Sequence, residues 1–445
     1  MEKAPLVSVA VDDVDSPWGG CTTHFSGLLL KRLLDLGVEL ADYPLLVRLN
    51  PGIPWKTRGN AAVVLRVRGL EPKIVMEEAV SLVDEYAGWR REPGKGPGVV
   101  VLEGSPWDPK LRWLYRKALT SIVVRDVALK VIESVGGLWF GGRGVVGAAS
   151  SIAALAPGDD YTWELTAYRR PDVWGSPRCI DHEAAARVEA RLPPCTFNNY
   201  DLIEGKFSAA PQGPDPVLAG FRGDCPWALK AYSEVLCEKP HFWVLYRSNQ
   251  HTDAPAALGL VAPPRPYNYV VIEGLVGGKP EVLPGSHIIV RVLTGEFTLE
   301  AAFYNEAYPL NKIASRLAEG DRIVIQGSVR PYRPRGYMVV AVDKLVVKEL
   351  APLEYTTSPP CPRCGKRMKS AGRGKGYKCP SCGYKLKTRP IHIDLPRRTS
   401  PGIYAPREGR LRHLTAPPGR KPKRWKPPGK IEPSKTVSWS IQPPG

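Results

Sequence analysis

Three carboxylates and three hydroxyls crowd one short, glycine-containing stretch, Asp12-Asp13-Val14-Asp15-Ser16-Pro17-Trp18-Gly19-Gly20-Cys21-Thr22-Thr23. Carboxylate oxygens are hard ligands suited to Mg²⁺, and glycine lets backbone N–H groups come close to phosphate oxygens. Asp12, Asp13 and Asp15 are therefore candidate metal ligands, with Thr22 or Thr23 as a hydroxyl that could receive a phosphoryl group. A second polar set, residues 48–60, is a basic loop in which Lys56, Arg58 and Asn60 could clamp triphosphate oxygens. A third, residues 141–147, sets Gly142, Arg143 and Gly144 ahead of a small-residue helix expected over 148–156, whose N-terminus could hold an anion. None of these is a Walker motif, because no Gly-Lys is followed by Ser or Thr.

Farther along, Cys361-Pro362-Arg363-Cys364 and Cys379-Pro380-Ser381-Cys382 form two CxxC knuckles. Each such turn aims two thiolates at one metal, and two turns close a tetrahedral site with no position left for a catalytic water. Cys361, Cys364, Cys379 and Cys382 are thus expected to hold one structural Zn²⁺. Lys366, Arg367, Lys369, Arg373, Lys375 and Lys378 lie between the knuckles, with Tyr377 and Tyr384 flanking the second. Cations beside rings suit single-stranded nucleic acid, whose bases are free to stack.

The acidic turn needs a strand before it and a helix after it. Val7-Ser8-Val9-Ala10-Val11 is β-rich, and Phe25, Leu29, Leu33 and Leu36 recur on one helical face. Strands over 44–49, 61–67 and 99–102 alternate with helices over 74–86, 109–118 and 125–135, the pattern of a mixed α/β domain. Residues 267–349 read as five strands, 269–275, 287–293, 297–304, 321–329 and 337–347, with a short helix over 311–317 between the third and fourth. That is the order of an OB-fold barrel. Its candidate stacking rings are Tyr267, Tyr269, Phe297, Phe303, Tyr304, Tyr332 and Tyr337, at least half of them expected to be ordinary core.

Charge is segregated. Residues 361–430 carry 21 Lys and Arg against Asp394 and Glu408 alone, which accounts for the whole net charge of +18. A basic module on a neutral body points to nucleic acid. At 445 residues and 43% hydrophobic content the chain can build about three cored domains. With no apolar leader or spanning run, it is expected to be soluble and cytoplasmic, with no membrane partner and no obligate protein partner. The five cysteines outside the knuckles, Cys21, Cys179, Cys195, Cys225 and Cys237, are scattered and odd in number, which argues against a disulfide framework.

Taken together, Asp12 to Ser16 with Gly20 to Thr23, Arg48-Leu49-Asn50-Pro51, Lys56 to Asn60, Gly142 to Ala148, Thr162 to Arg169, Arg247 to Asp253, the barrel segment and the paired knuckles resemble the archaeal agmatidine synthetases that modify the minor isoleucine tRNA. The resemblance implies a multidomain α+β protein. Its parts would be an α/β kinase-like ATP-binding domain (1–158), a ferredoxin-like amine-binding domain (159–262), an OB-fold (267–350), a zinc ribbon (358–395) and a basic Pro-rich tail (396–445). It also implies ATP-dependent conjugation of agmatine to carbon 2 of the wobble cytidine in the CAU anticodon, with ATP ending as AMP and pyrophosphate. Thr22 would be the phosphorylated threonine. Asp12, Asp13 and Asp15 would hold Mg²⁺, Lys56, Arg58 and Arg143 would neutralise phosphate charge, and tRNA would be engaged at its anticodon loop and acceptor region. Agmatine is a dication with a guanidinium end, so a carboxylate is its natural partner; Asp224 and Asp253 are the candidates. His251 is expected to be structural more than catalytic.

Two departures from the family pattern stand out: Val14 replaces a threonine, and Pro255 stands where a histidine is common. The tail beyond residue 417 is expected to stay flexible until RNA binds. Because the positive charge lies in residues 361–430, a chain cut near residue 350 is expected to lose most tRNA affinity yet keep ATP. The alternatives are a non-catalytic binding protein and a ligase for another amine, such as lysine or spermidine.

Overall fold

The structure is a computed structural model that describes all residues except 1–3, 16–19, 57–58, 87–95, 212, 215, 259–263, 333–336, 428–430, 441 and 445. Among the described residues no helix is long and apolar enough to cross a membrane.

The N-terminal strand β1 (Leu6–Asp12) alternates two apolar faces. Val7, Val9 and Val11 join one core with α1 (Thr22–Asp35) and α2 (Pro72–Glu85). Ala10 joins another with α3 (Pro109–Thr120), α4 (Arg125–Glu133) and α5 (Val145–Ser151). Three layers result. The sheet between them contains β1, the short β2 (Glu39–Leu40), β3 (Leu45–Arg48), β4 (Ala61–Arg68), β5 (Gly98–Glu103) and β6 (Leu138–Gly141). Every pairing among these strands is antiparallel. The acidic turn therefore follows a strand flanked by antiparallel neighbours, and not the strand end of a parallel doubly wound sheet. In α1, Phe25, Leu29 and Leu33 are fully buried, whereas Leu36 is 48% exposed because the helix has already ended ahead of Gly37 at φ +83°.

The same sheet continues into the middle of the chain. β7 (Thr162–Tyr168), β10 (Val217–Gly223) and β11 (Phe242–Ser248) join it: β7 lies antiparallel between the other two, and β11 pairs parallel with β3 through Arg247 opposite Leu45 and Ser248 opposite Leu46. A hairpin of β8 (Tyr200–Asp201) and β9 (Lys206–Phe207), with α6 (His182–Arg191) and α7 (Pro226–Leu229), covers one face. The two parts predicted from sequence as separate domains thus share one sheet. Here the structure also joins Cys195 to Cys225 by one disulfide, a single bond where the scattered cysteines argued against a disulfide framework.

Beyond it, β12 (Tyr269–Val276), β13 (Glu281–Leu283), β14 (His287–Leu293), β15 (Thr298–Phe303), β16 (Arg322–Tyr332) and β17 (Tyr337–Glu349) form the second sheet. Five of them close a barrel in the order β12-β16-β17-β15-β14, with β14 returning to β12 and only β15 and β17 parallel. Helix α8 (Leu310–Ala314) packs its buried Leu310 and Ala314 into the barrel core. Tyr269 and Phe303 are buried, and Phe297 and Tyr304 pack on core clusters, so these four rings serve the fold. The side chains of Tyr332 and Tyr337 lie outside the described residues.

After the zinc ribbon the chain turns back. Gly402–Tyr404 pairs with β17, residues 405–416 cross to the middle part, and Val437–Ser438 adds to β11. In between, Arg420 clasps Asp160 and Asp224, Trp425 is buried in the middle core, and Ile431 is buried in the N-terminal core. The tail is a strap packed on the body, which corrects the expectation of a free basic extension. Trp425, Ile431 and Val437 are buried against the body, and Arg420 meets two carboxylates.

Candidate functional site

The turn after β1 is held from several sides. Asp13 adopts φ +60°, a region that Asp and Asn tolerate better than most residues, and its N–H donates to Asp12 Oδ1 at 2.7 Å. Arg143 comes within 3.6 Å of the Asp13 carboxylate. Burial above all, and then the neighbouring Asp13 and Asp15, push the Asp12 carboxyl well above the usual carboxylate range. The three carboxylates expected to share one Mg²⁺ do not converge on a single metal position among the described residues, because Asp15 is turned to Thr22.

Room for the cluster comes from missing side chains. A Cβ on Gly147 would overlap Asp12 Oδ2, and one on Gly144 would stand 2.5 Å from the Asp12 carbonyl. These absences let α5 lie directly against the end of β1. The expectation of an anion cradle at the start of α5 does not hold for Gly142 and Gly144. Their N–H groups donate to the carbonyls of Pro97 and Gly96, each at 2.9 Å. What these two glycines supply is close packing, while Arg143 supplies charge.

Asp12, Asp13, Lys56, Asn60, Arg143 and Gly144 line one cleft, walled on its apolar side by Ile53, Trp55, Ile122 and Val123. Burial and the surrounding Arg330, Arg412 and Arg48 hold the Lys56 ammonium below its ordinary pKa. Such a crowd of cations suits a polyphosphate. Asn60, at φ +51°, donates its side-chain amide to the Asn50 carbonyl at 2.8 Å, so it also pins the basic loop. Arg58 lies outside the described residues.

The other half of the acidic turn faces a second cleft. Thr22, the first residue of α1, donates its N–H to Asp15 Oδ1 at 2.7 Å and its hydroxyl to the same oxygen at 3.1 Å. Asp15 thus satisfies a free N–H at the start of α1, though the intervening residues hid this from sequence. Tyr86 and Tyr246, neither foreseen, brace the turn: Cys21 N–H donates to the Tyr86 hydroxyl at 3.1 Å, and the Tyr246 hydroxyl donates to the Thr23 carbonyl at 2.9 Å.

This second cleft is lined by Asp15, Thr22, Arg48, Glu164, Arg222 and His413, among others. Glu164 is the carboxylate that sequence reasoning missed. It is 5% exposed in the middle of β7, beside Arg222 at 3.5 Å and Arg48 at 4.0 Å, and Gln250 donates to it. Gly220 leaves it room, since a Cβ there would stand 2.5 Å from Glu164 Oε1. The available signal was a lone acid in an otherwise uncharged strand, because a buried charge has to have partners. His413, brought in by the segment behind the ribbon, had no local signal.

The predicted amine ligands are not in this cleft. Asp224 is engaged by Arg420 at 2.9 Å and Asp253 by Lys344 and the Ala416 N–H. What sets them apart from Glu164 is position: Glu164 lines the cleft beside Thr22, whereas Asp224 and Asp253 hold the C-terminal strap and the barrel, away from where agmatine was expected to meet them. His251 is fully buried, its Nδ1 is 2.9 Å from the Thr415 carbonyl, and burial lowers its pKa to about 3, as a structural histidine requires.

In the ribbon, the four cysteine Sγ atoms lie within 4.8 Å of one another, with pairs at 3.5, 3.5 and 3.7 Å. A tetrahedral zinc with Zn–S bonds of about 2.3 Å needs edges of about 3.8 Å, so the set fits one ion. The six cations between the knuckles are all exposed. Cys379→Ser is expected to remove one zinc per chain and weaken tRNA binding. The log–log salt slope should fall by about 0.7 to 0.9 for each phosphate that the ribbon no longer engages, with ATP binding unchanged. Metal analysis and salt-dependent tRNA binding check this, and wild-type protein free of zinc would refute it.

Comparison with known proteins decides the family. Residues 8–142 match the TiaS TCKD domain, 142–255 the TiaS FLD domain and 358–399 the TiaS C-terminal zinc ribbon domain. The tRNA 2-agmatinylcytidine synthetase TiaS of Acidilobus saccharovorans is 51% identical over 420 residues, 94% of this chain and 95% of its own. The chain belongs to the tRNA 2-agmatinylcytidine synthetase family, whose members act on the minor isoleucine tRNA. Two solved TiaS structures are similar over their length. The complex of TiaS with that isoleucine tRNA and ATP shares 29% identity at a TM-score of 0.82, covering 93% of this chain and 97% of that one. The complex of TiaS with the same tRNA, AMPCPP and agmatine shares 27% at 0.79, covering 93% and 96%.

Proposed function

We propose that this chain uses ATP to conjugate agmatine to carbon 2 of the wobble cytidine in the CAU anticodon of the minor isoleucine tRNA, so that the tRNA decodes AUA. The observation that carries this reading is one acidic turn facing two clefts. Asp12 and Asp13 face the cleft with Lys56 and Arg143, while Asp15 and Thr22 face the cleft with Glu164. A phosphoryl acceptor therefore stands between a polyphosphate site and an amine site. The solved relatives, one holding tRNA and ATP and another holding tRNA, an ATP analogue and agmatine, bind the same kinds of ligand that this reading calls for.

The cytosine C2 oxygen is a poor leaving group, and phosphorylating it lets a primary amine displace phosphate. Asp12 and Asp13 would hold Mg²⁺, which supplies charge neutralisation at the ATP phosphates. Thr22, fixed by Asp15, presents the hydroxyl that takes a phosphoryl group. Lys56 and Arg143 bind and orient the phosphates. Glu164 receives a cationic end of agmatine, and Arg48 and Arg222 beside it suit the phosphate that forms on cytidine. The strand order of the barrel supports reading it as an OB-fold; the β7, β10 and β11 layer is read as ferredoxin-like and the first part as kinase-like. Together with the ribbon's cations, the barrel would hold the tRNA, whose handling places the enzyme in the cytoplasm.

Glu164→Gln tests the amine assignment, since it keeps the volume and removes the charge. A charged hydrogen bond contributes about 1.5 to 3 kcal/mol, so the KM for agmatine should rise about 10- to 100-fold with ATP binding intact. An unchanged agmatine KM would move the amine elsewhere.

A further inference from the structure

We propose that Cys179 and Cys237 form a second disulfide, nested around the bond between Cys195 and Cys225, and that this cross-link holds the rim of the Glu164 cleft. The two residues flank an antiparallel bridge: Ile180 pairs with Leu236, and the Cys237 N–H donates to the Cys179 carbonyl at 3.3 Å. Directly opposed residues on antiparallel strands have Cα atoms about 4.5 to 5.5 Å apart, inside the roughly 4.4 to 6.8 Å span that a disulfide bridges. Both cysteines are exposed and neither is in a disulfide, so an oxidant can reach them. They already interact: a hydrogen bond with Cys237 is the main cause that raises the Cys179 thiol pKa.

The cross-link would tie together two clamps. Arg178, next to Cys179, donates through Nε to the Val217 carbonyl at 2.8 Å and through Nη1 to the Gly213 carbonyl at 3.0 Å. Val217 lines the cleft that holds Glu164. On the other side Glu238, next to Cys237, accepts from Arg169 Nε at 2.8 Å and Nη2 at 2.7 Å. Arg169 directly follows β7, the strand that carries Glu164. Joining the two cysteines adds a covalent tie between these two clamps, beside the pairing of Val217 with Tyr168 that already joins β10 to β7, while the existing disulfide pins the far end of β10.

The chemistry is thiol–disulfide exchange. One cysteine thiolate attacks oxidised glutathione, releasing one glutathione thiol and leaving a mixed disulfide. The second cysteine thiolate displaces the other glutathione, so two protein thiols and one oxidised glutathione give one protein disulfide and two glutathione thiols. Disulfides persist inside cells mainly in thermophilic archaea and bacteria.

The test uses the full, zinc-loaded chain incubated with oxidised glutathione, quenched with N-ethylmaleimide and digested with trypsin without reduction. Arg and Lys residues separate all four cysteines into different peptides. The expected result is a peptide pair joining Cys179 to Cys237, lighter by two hydrogens than its parts, which a reducing agent splits. N-ethylmaleimide or glutathione on both Cys179 and Cys237, or a link from either to Cys195 or Cys225, would overturn the pairing. Cys179→Ser should abolish this pair and leave the link between Cys195 and Cys225. The role at the rim rests on the function proposed above, whereas the peptide assay does not. With the link formed, the agmatine KM should be several-fold lower than for the Cys179→Ser chain at equal kcat. Equal KM values would overturn the rim role.

Discussion

Asp13→Asn should abolish ATP consumption, by about 100-fold or more, while tRNA affinity stays within about twofold of wild type. Electrostatic groups aimed at charge that develops in a reaction typically supply about 10²- to 10³-fold each. The substitution is unusually clean here, because Asp13 sits at φ +60° and Asn accepts that backbone as readily as Asp. The turn should keep its shape and lose only a carboxylate charge beside Arg143. tRNA binding should be spared, since the cations between the zinc knuckles lie on a different part of the chain. ATP turnover measured with saturating tRNA and agmatine checks this. Turnover close to that of wild type would remove Asp13 from the proposed metal and phosphate site.

The second large effect concerns a residue far from that turn. Trp425→Ala should destabilise the folded chain by about 3 to 5 kcal/mol, the usual cost of deleting a buried large aromatic side chain. Trp425 is 7% exposed within the middle core, and the Arg247 guanidinium lies 4.0 Å from its ring centroid. Arg247 in turn donates to Asp42 at 2.5 Å, and Asp42 also accepts from Arg66 at 3.0 Å, so one missing ring exposes a buried charge network. Removing everything after residue 416 should therefore do more than lower tRNA affinity: it should lower the melting temperature of the ATP-binding part as well. Calorimetry of the variant and the truncated chain decides it. A truncated chain that melts with the full-length protein and consumes ATP normally would show the strap to be dispensable.

How much of this could be read from the sequence depends on whether the signal was local. The barrel strands were legible because alternating β-branched residues mark them, and 287–293 matches β14 residue for residue. The helices around the N-terminal sheet were legible through their 3.6-residue period. The zinc site was legible because its ligands come in two short turns. What could not be seen was set by pairing over long sequence distances. The parallel register of β3 with β11 merges two expected domains into one sheet, and nothing near Leu45 or Arg247 announces it. Asp224 looked available for a guanidinium ligand, and it does bind one, but that guanidinium belongs to Arg420 of the chain itself. Glu164 was passed over because a single acid within a strand carries no spacing pattern. The basic Pro-rich tail looked disordered by composition, yet Trp425, Ile431 and Val437, well separated along it, fasten it to the body.

The central claim is that one acidic turn serves an ATP cleft and an amine cleft to modify the wobble cytidine. The most direct measurement is mass analysis of nucleosides from the minor isoleucine tRNA incubated with the full chain, ATP and Mg²⁺, with agmatine, lysine or spermidine supplied one at a time. The wobble cytidine should gain the mass of an agmatine conjugate only when agmatine and ATP are both present, and the Thr22→Val chain should yield none. Unmodified cytidine with agmatine, or a conjugate formed with lysine or spermidine in its place, would contradict it.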